Sequence, residues 1–169
     1  MTIEIDKTYM DFFGDLPKRR ATHGVVVHHT CTATPKRTRS ALKSQGYSTH
    51  FEVDRDGHVY QYTRLDRQCS HCSGANWHCI GVDLTHPARA EWPQAQLDAA
   101  VELFHWLSEK LDIPWRLYEE FPRGFWYHRA LCNTVCPQNF PGDLLFAADD
   151  EARLLAVRLT NGRRDDWDS

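Results

Sequence analysis

Short apolar runs alternate along this chain with polar, turn-forming stretches, and one longer segment repeats its apolar residues at helical spacing. Gly24-Val25-Val26-Val27 is apolar and β-branched, which predicts a central buried strand ending at His28. Thr34-Pro35 marks a helix start, with the threonine as cap and the proline at the first helical position, and this helix is expected to reach about Gly46. Thr49 to Val53 and Val59 to Tyr62 flank Asp56-Gly57, a residue pair that turns two strands into a hairpin. A loop rich in Cys, His, Ser and Gly runs from Cys69 to His78, and Ile80 to Leu84 reads as another short strand.

The clearest helix spans Pro93 to Leu111. Leu97, Val101, Phe104, Leu107 and Leu111 recur there every three or four residues and form one core-facing stripe. A second helix is expected over about Ala148 to Leu159, and the charged tail from Asn161 to Ser169 reads as frayed. Residues 1–20 are polar and mixed and are expected to wrap the surface. Strands and helices mixed without regular alternation predict an α/β fold, a central mixed sheet flanked by helices. The chain of 169 residues suits one domain, 1–169, with no repeat or linker.

Charge narrows the function classes. A net charge of −3 provides no basic field, so no nucleic-acid partner is expected. No apolar run approaches the ~20 residues that span a bilayer, so membrane insertion is not expected either. The first residues lack a basic stretch followed by an apolar one, so the reading is synthesis in the cytoplasm without a signal peptide. A monomer is expected.

Six cysteines and ten histidines are many for this length. In a reducing compartment, metal binding is a better first guess for some of them than a disulfide framework. His28 closes a buried strand, where side chains emerge rigidly at the sheet's end. Tyr127-His128-Arg129 is followed by Cys136-Pro137. His28, His128 and Cys136 would give zinc three ligands of suitable softness and leave a fourth position for water. An alternative pairs Cys69-x-x-Cys72 with Cys132 and Cys136 in a four-cysteine structural zinc site; a separate cluster at Cys69, Cys72 and Cys79 is also open.

An ordered set of segments resembles the N-acetylmuramoyl-L-alanine amidase family, which includes phage lysozyme-type amidases, cytosolic recycling amidases and peptidoglycan recognition proteins. The segments are Val-Val-Val-His-His-Thr at 25–30, Ser-Thr-His-Phe at 48–51, Asp-Arg-Asp-Gly-His-Val-Tyr-Gln at 54–61, Ser70-His71, Asn76, Ile-Gly-Val-Asp-Leu at 80–84, and His128-Arg129 with Thr134 and Cys136-Pro137. Together they cover about residues 24–142.

The resemblance implies a zinc cofactor on His28, His128 and Cys136 and a peptidoglycan or muropeptide substrate. It places Asp83 where recycling-type members carry a glutamate, as general base, and Thr49 where phage members carry a tyrosine. Thr134 stands where the family often has a lysine, and a hydroxyl there can donate to a developing oxyanion. His71, His50 and Asn76 fall where substrate-facing residues are expected, and His29, next to a ligand on a strand, should point to the opposite face. The implied reaction cuts the amide between N-acetylmuramic acid and L-alanine, as an endolysin or related wall-degrading enzyme released from the cytoplasm. A binding module that cuts nothing and a recycling amidase remain as alternatives.

Overall fold

The computed structural model describes residues 3–118 and 123–146. The expected helix at Ala148 to Leu159 and the tail beyond Asn161 lie outside them. Ten elements follow in chain order: β1 (Gly24–His29), α1 (Pro35–Ser44), β2 (Phe51–Val53), β3 (Val59–Gln61), β4 (Cys79–Leu84), α2 (Gln94–Leu111), β5 (Leu117–Tyr118), β6 (Gly124–Tyr127), α3 (His128–Leu131) and α4 (Gly142–Leu145). The strands form one sheet in the order β3-β2-β4-β1-β6-β5. β2 and β3 are antiparallel, and the other pairings are parallel, so the sheet is mixed.

Every residue of β1 and β4 is buried, which is why neither strand alternates apolar with polar. Period two still sorts the sheet's faces. Val25, Val27, Ile80, Val82, Leu84, Phe51, Val53 and Phe125 belong to one core with Leu97, Leu103, Phe104 and Leu107 of α2. Val26, Cys79 and Trp126 face the other way, against Cys72 and Ala75. Continuing that alternation puts His28, Asp83 and Glu52 in one cross-strand row on the second face, in register on β1, β4 and β2. This row lies toward the C-terminal ends of parallel strands, where α/β sheets place their sites.

The capping expected at Thr34 is present, with its side chain accepting from Arg37 N–H. The hairpin turns where expected, and Gly57 adopts φ +88°, a left-handed conformation that favours glycine. The N-terminal segment adds a bridge from Asp6 to Tyr60 at the sheet's edge. Two features differ from the sequence pattern. β5 and β6 were not expected as strands. The buried stripe of α2 includes Gln96, Ala100 and Leu103, while Val101 and Leu111 are only partly buried beside the core. Gln96 enters the stripe because its Nε2 donates to the carbonyls of Val53 and Thr85, at 3.0 and 2.8 Å, which satisfies its buried amide.

Candidate active site

β1 delivers His28 to the sheet's end. β6 runs parallel beside it, with Val27 opposite Tyr127, so the chain leaves β6 directly into His128 at the start of α3. The loop after α3 is tied back: Arg129 N–H donates to the Cys136 carbonyl at 2.7 Å, and Arg129 Nη1 donates to the Gln138 carbonyl at 2.8 Å. This brings Cys136 to the two histidines. One ligand atom from each of His28, His128 and Cys136 lies within 4.8 Å of the other two. The N–H of His29 donates to Cys136 Sγ at 3.3 Å, a contact that favours a thiolate. The three donors open into a groove of about 620 Å³ also lined by His71, Asp83 and Thr134. A second hollow of about 640 Å³, lined by Trp115 and Arg129 among others, contains none of the three donors.

His71 lies across the sheet over Gly81. A Cβ at Gly81 would come within 2.8 Å of the His71 ring, so the ring reaches His28 only because that position has no side chain. His71 Nε2 is 3.4 Å from the Cys79 carbonyl, which can only accept, so the proton belongs on Nε2. Nδ1 of His71 is therefore an acceptor, and it stands 3.1 Å from His28 Nε2. His28 then donates through Nε2 and keeps the Nδ1 lone pair free.

The other residues expected to face substrate serve the framework instead. His50 is fully buried. Its Nδ1 accepts from Gly81 N–H at 3.0 Å and its Nε2 donates to the Arg67 carbonyl at 2.9 Å, so no ring nitrogen is left for a ligand. Asn76 Oδ1 accepts from the N–H groups of His71 and Cys72 at 3.0 and 2.7 Å, which shapes the loop that carries His71. Its side chain also lines the groove, with Oδ1 committed to that loop.

Asp83 lies one strand from His28 in register and is buried at the groove. It is not among the three clustered donors. Burial drives its carboxyl up to about 7; the Thr49 hydroxyl pulls it down, and the charge of Glu52 adds to the rise. Thr49 itself is fully buried, with its hydroxyl oxygen also 3.0 Å from the Gly81 carbonyl, so its one hydrogen is shared between Asp83 and that carbonyl. Glu52 was not singled out from the sequence. It is buried behind Asp83 and accepts from Thr85 Oγ1 and Tyr62 OH, both at 2.5 Å, while Arg39 donates to Tyr62 OH at 3.0 Å. Thr134 Oγ1 accepts from Cys136 N–H at 3.3 Å and keeps its own hydrogen free to donate into the groove.

Burial holds the His28 ring well below its usual pKa, with His71 and His128 adding to the effect. Burial likewise lowers His71 to about 4 and lowers His128. All three rings are therefore neutral near pH 7. Burial pushes the Cys136 thiol up to about 12, against the His29 N–H that lowers it. Two neutral imidazoles and one buried thiol, pooled within 4.8 Å, fit a zinc ion by donor type and by number. Such an ion would displace the thiol proton. His29 lies on the α2 side of the sheet's end, with Nε2 3.1 Å from Cys31 Sγ.

The four-cysteine arrangement does not form. Cys69 is fully buried and its thiol is held by Thr63 and Ser48, whereas Cys136 joins the histidines. Cys79 is also fully buried and joins neither donor cluster among the described residues. Cys72 faces Cys132 instead.

This architecture is shared with amidases, endolysins and peptidoglycan recognition proteins. The family model for N-acetylmuramoyl-L-alanine amidase matches residues 18–139, and the chain belongs to that family. No curated protein matches the sequence. Among solved structures, the chain is similar to the N-acetylmuramoyl-L-alanine amidase LysC from Clostridium intestinale URNW, with 22% identity, a TM-score of 0.72, and coverage of 91% of this chain and 99% of that one. It is similar to the Ph2119 endolysin from the Thermus scotoductus MAT2119 bacteriophage Ph2119, with 17% identity, a TM-score of 0.68, and coverage of 84% and 96%. It is also similar to Drosophila peptidoglycan recognition protein SA, with 18% identity, a TM-score of 0.59, and coverage of 80% and 86%. At these identities the likenesses establish the fold.

Proposed function

We propose that this protein is a zinc-dependent amidase that hydrolyses the bond between N-acetylmuramic acid and L-alanine in peptidoglycan. The observation that carries the reading is the convergence of His28, His128 and Cys136 at the strand ends of an amidase-family fold. These residues would hold a zinc ion, which would supply Lewis acidity and lower the pKa of water toward neutrality.

The chain's own residues do the rest. His71 fixes the His28 tautomer and ring angle. Asp83 accepts a proton from the attacking water and returns it to the departing L-alanine nitrogen. The Thr134 hydroxyl donates to the amide oxygen as charge builds on it. A glycosidase would need two carboxylates flanking the sugar. The buried pair here, Asp83 and Glu52, does not suit that, because Glu52 is committed to Tyr62 and Thr85 away from the groove.

The similarity to LysC and to the Ph2119 endolysin favours a wall-degrading role over muropeptide recycling. Digestion of purified sacculi tests the chemistry. New L-alanine amino termini without new reducing sugars support an amidase; new reducing sugars refute it; tight binding with no cleavage assigns the protein to the recognition branch.

A further inference from the structure

Two thiols that line the groove have no role in the proposed hydrolysis. Cys72 sits in the loop between β3 and β4, its N–H held by Asn76 Oδ1 at 2.7 Å. Cys132 follows α3, its N–H donating to the His128 carbonyl at 3.0 Å. Their sulfur atoms are 3.3 Å apart although 60 positions separate them in sequence. Both lie 3.9 Å from one acceptor, the Ser73 carbonyl. Each backbone is anchored within its own turn, so the fold itself holds the sulfurs together.

We propose that Cys72 and Cys132 are a reversible disulfide site that fastens the His71 loop to the turn carrying His128. A disulfide needs the sulfurs to close from 3.3 Å to about 2.05 Å. Of the pair, Cys132 is half-buried and Cys72 is only 3% exposed, which sets the order of events. The Cys132 sulfur attacks a small-molecule disulfide such as oxidised glutathione, forming a mixed disulfide and releasing one thiol, which carries away the proton. The Cys72 sulfur then displaces the second thiol and closes the protein bond. Two protein thiols are oxidised and one external disulfide is reduced to two thiols, so the exchange balances.

A soft metal competes for the same sulfurs, because Cys72, Cys132 and a His128 nitrogen lie within 4.8 Å of one another. That metal would draw on His128, which the first donor cluster already uses. A disulfide draws on nothing outside the pair, and this favours the covalent link. The bond would form when a protein made in a reducing compartment meets an oxidising one, and it would brace both segments that converge on His28.

The zinc-loaded full chain, incubated with oxidised glutathione or with dithiothreitol, then alkylated and digested, tests this by peptide mass. Oxidation should give a Cys72–Cys132 linked peptide, two hydrogens lighter than its parts, that dithiothreitol reverses. It should raise the melting temperature by several degrees, about 5 °C or more. Cys72→Ser and Cys132→Ser should each abolish that rise and leave hydrolysis in reducing buffer at the wild-type rate. The proposal is overturned if the thiols resist the oxidant; a second equivalent of zinc that Cys132→Ser removes would then assign the pair to a metal. It is equally overturned if either cysteine links to a different partner. Peptide mapping does not depend on activity, so it fails or succeeds independently of the amidase reading.

Discussion

Nε2 of His28 stands 3.1 Å from Nδ1 of His71, and the Cys79 carbonyl beyond determines which of the two rings donates. The relationship makes His71 a positioning residue for the metal ligand. Loss of such a partner typically costs about 10–100-fold in metal affinity. His71→Ala should weaken zinc binding by that order in a chelator competition. His71→Asn, which retains an acceptor, should recover part of it. Unchanged affinity in His71→Ala would return the residue to a substrate-facing role.

Zinc binding should release about one proton per ion from the protein at pH 8.5, in addition to the proton that water on the ion would lose. The directions of the shifts fix the number. His28 and His128 are lowered and already neutral there, whereas the Cys136 thiol, raised to about 12, is still protonated and must lose its proton to ligate. Asp83, at about 7, is already ionised at that pH and adds little. Calorimetry in two buffers of different ionisation enthalpy measures the count. Release no greater than that of Cys136→Ser would mean that Cys136 is not a ligand.

Asp83→Asn should bind zinc normally and lose roughly 10²–10⁴ in kcat, the usual cost of removing a general base. Stability carries a second signature in the metal-free protein. The folded-state pKa of about 7 lies above the ordinary 3.8, so the folded state keeps a proton that the unfolded chain releases between those values. Stability attributable to Asp83 is therefore present below about pH 4 and lost as pH rises through 7. Asp83→Asn should remove that decline and be the more stable protein at pH 8, by on the order of a few kcal/mol. Denaturant titrations at pH 5 and pH 8 measure both slopes. Wild-type turnover in Asp83→Asn would leave the carboxylate structural.

His50→Ala should act on stability rather than on substrate affinity. It leaves the Gly81 N–H without the ring acceptor and the Arg67 carbonyl without the ring donor, each worth about 1–3 kcal/mol when stranded. The denaturant midpoint should fall, and KM measured on the folded fraction should be unchanged. A raised KM with no loss of stability would restore His50 to the groove.

Much of the frame was legible because its signals are local. The valine run of β1, the Asp56-Gly57 turn and the stripe of α2 each announce an element by period or by turn chemistry. The link between His28 and His128 came from motif order, since nothing in spacing joins residues a hundred positions apart. β6 escaped because Gly124–Tyr127 is four residues long and shows no polar alternation. The role of His50 escaped because a histidine beside a motif reads alike whether it faces a ligand or a backbone N–H. Glu52 was hidden by its place in a three-residue strand; only the register opposite Asp83 gives it meaning. The Cys72–Cys132 contact is purely tertiary, and counting cysteines groups Cys72 just as readily with Cys69.

The most direct test of the central claim is a zinc titration of the metal-free protein, read as L-alanine amino termini released from purified sacculi. Activity should be absent without metal, rise linearly and break at one equivalent, and stay absent at any zinc level in His28→Ala. Full activity in the metal-free protein, or wild-type activity in His28→Ala at one equivalent, would contradict a hydrolytic zinc held by His28, His128 and Cys136.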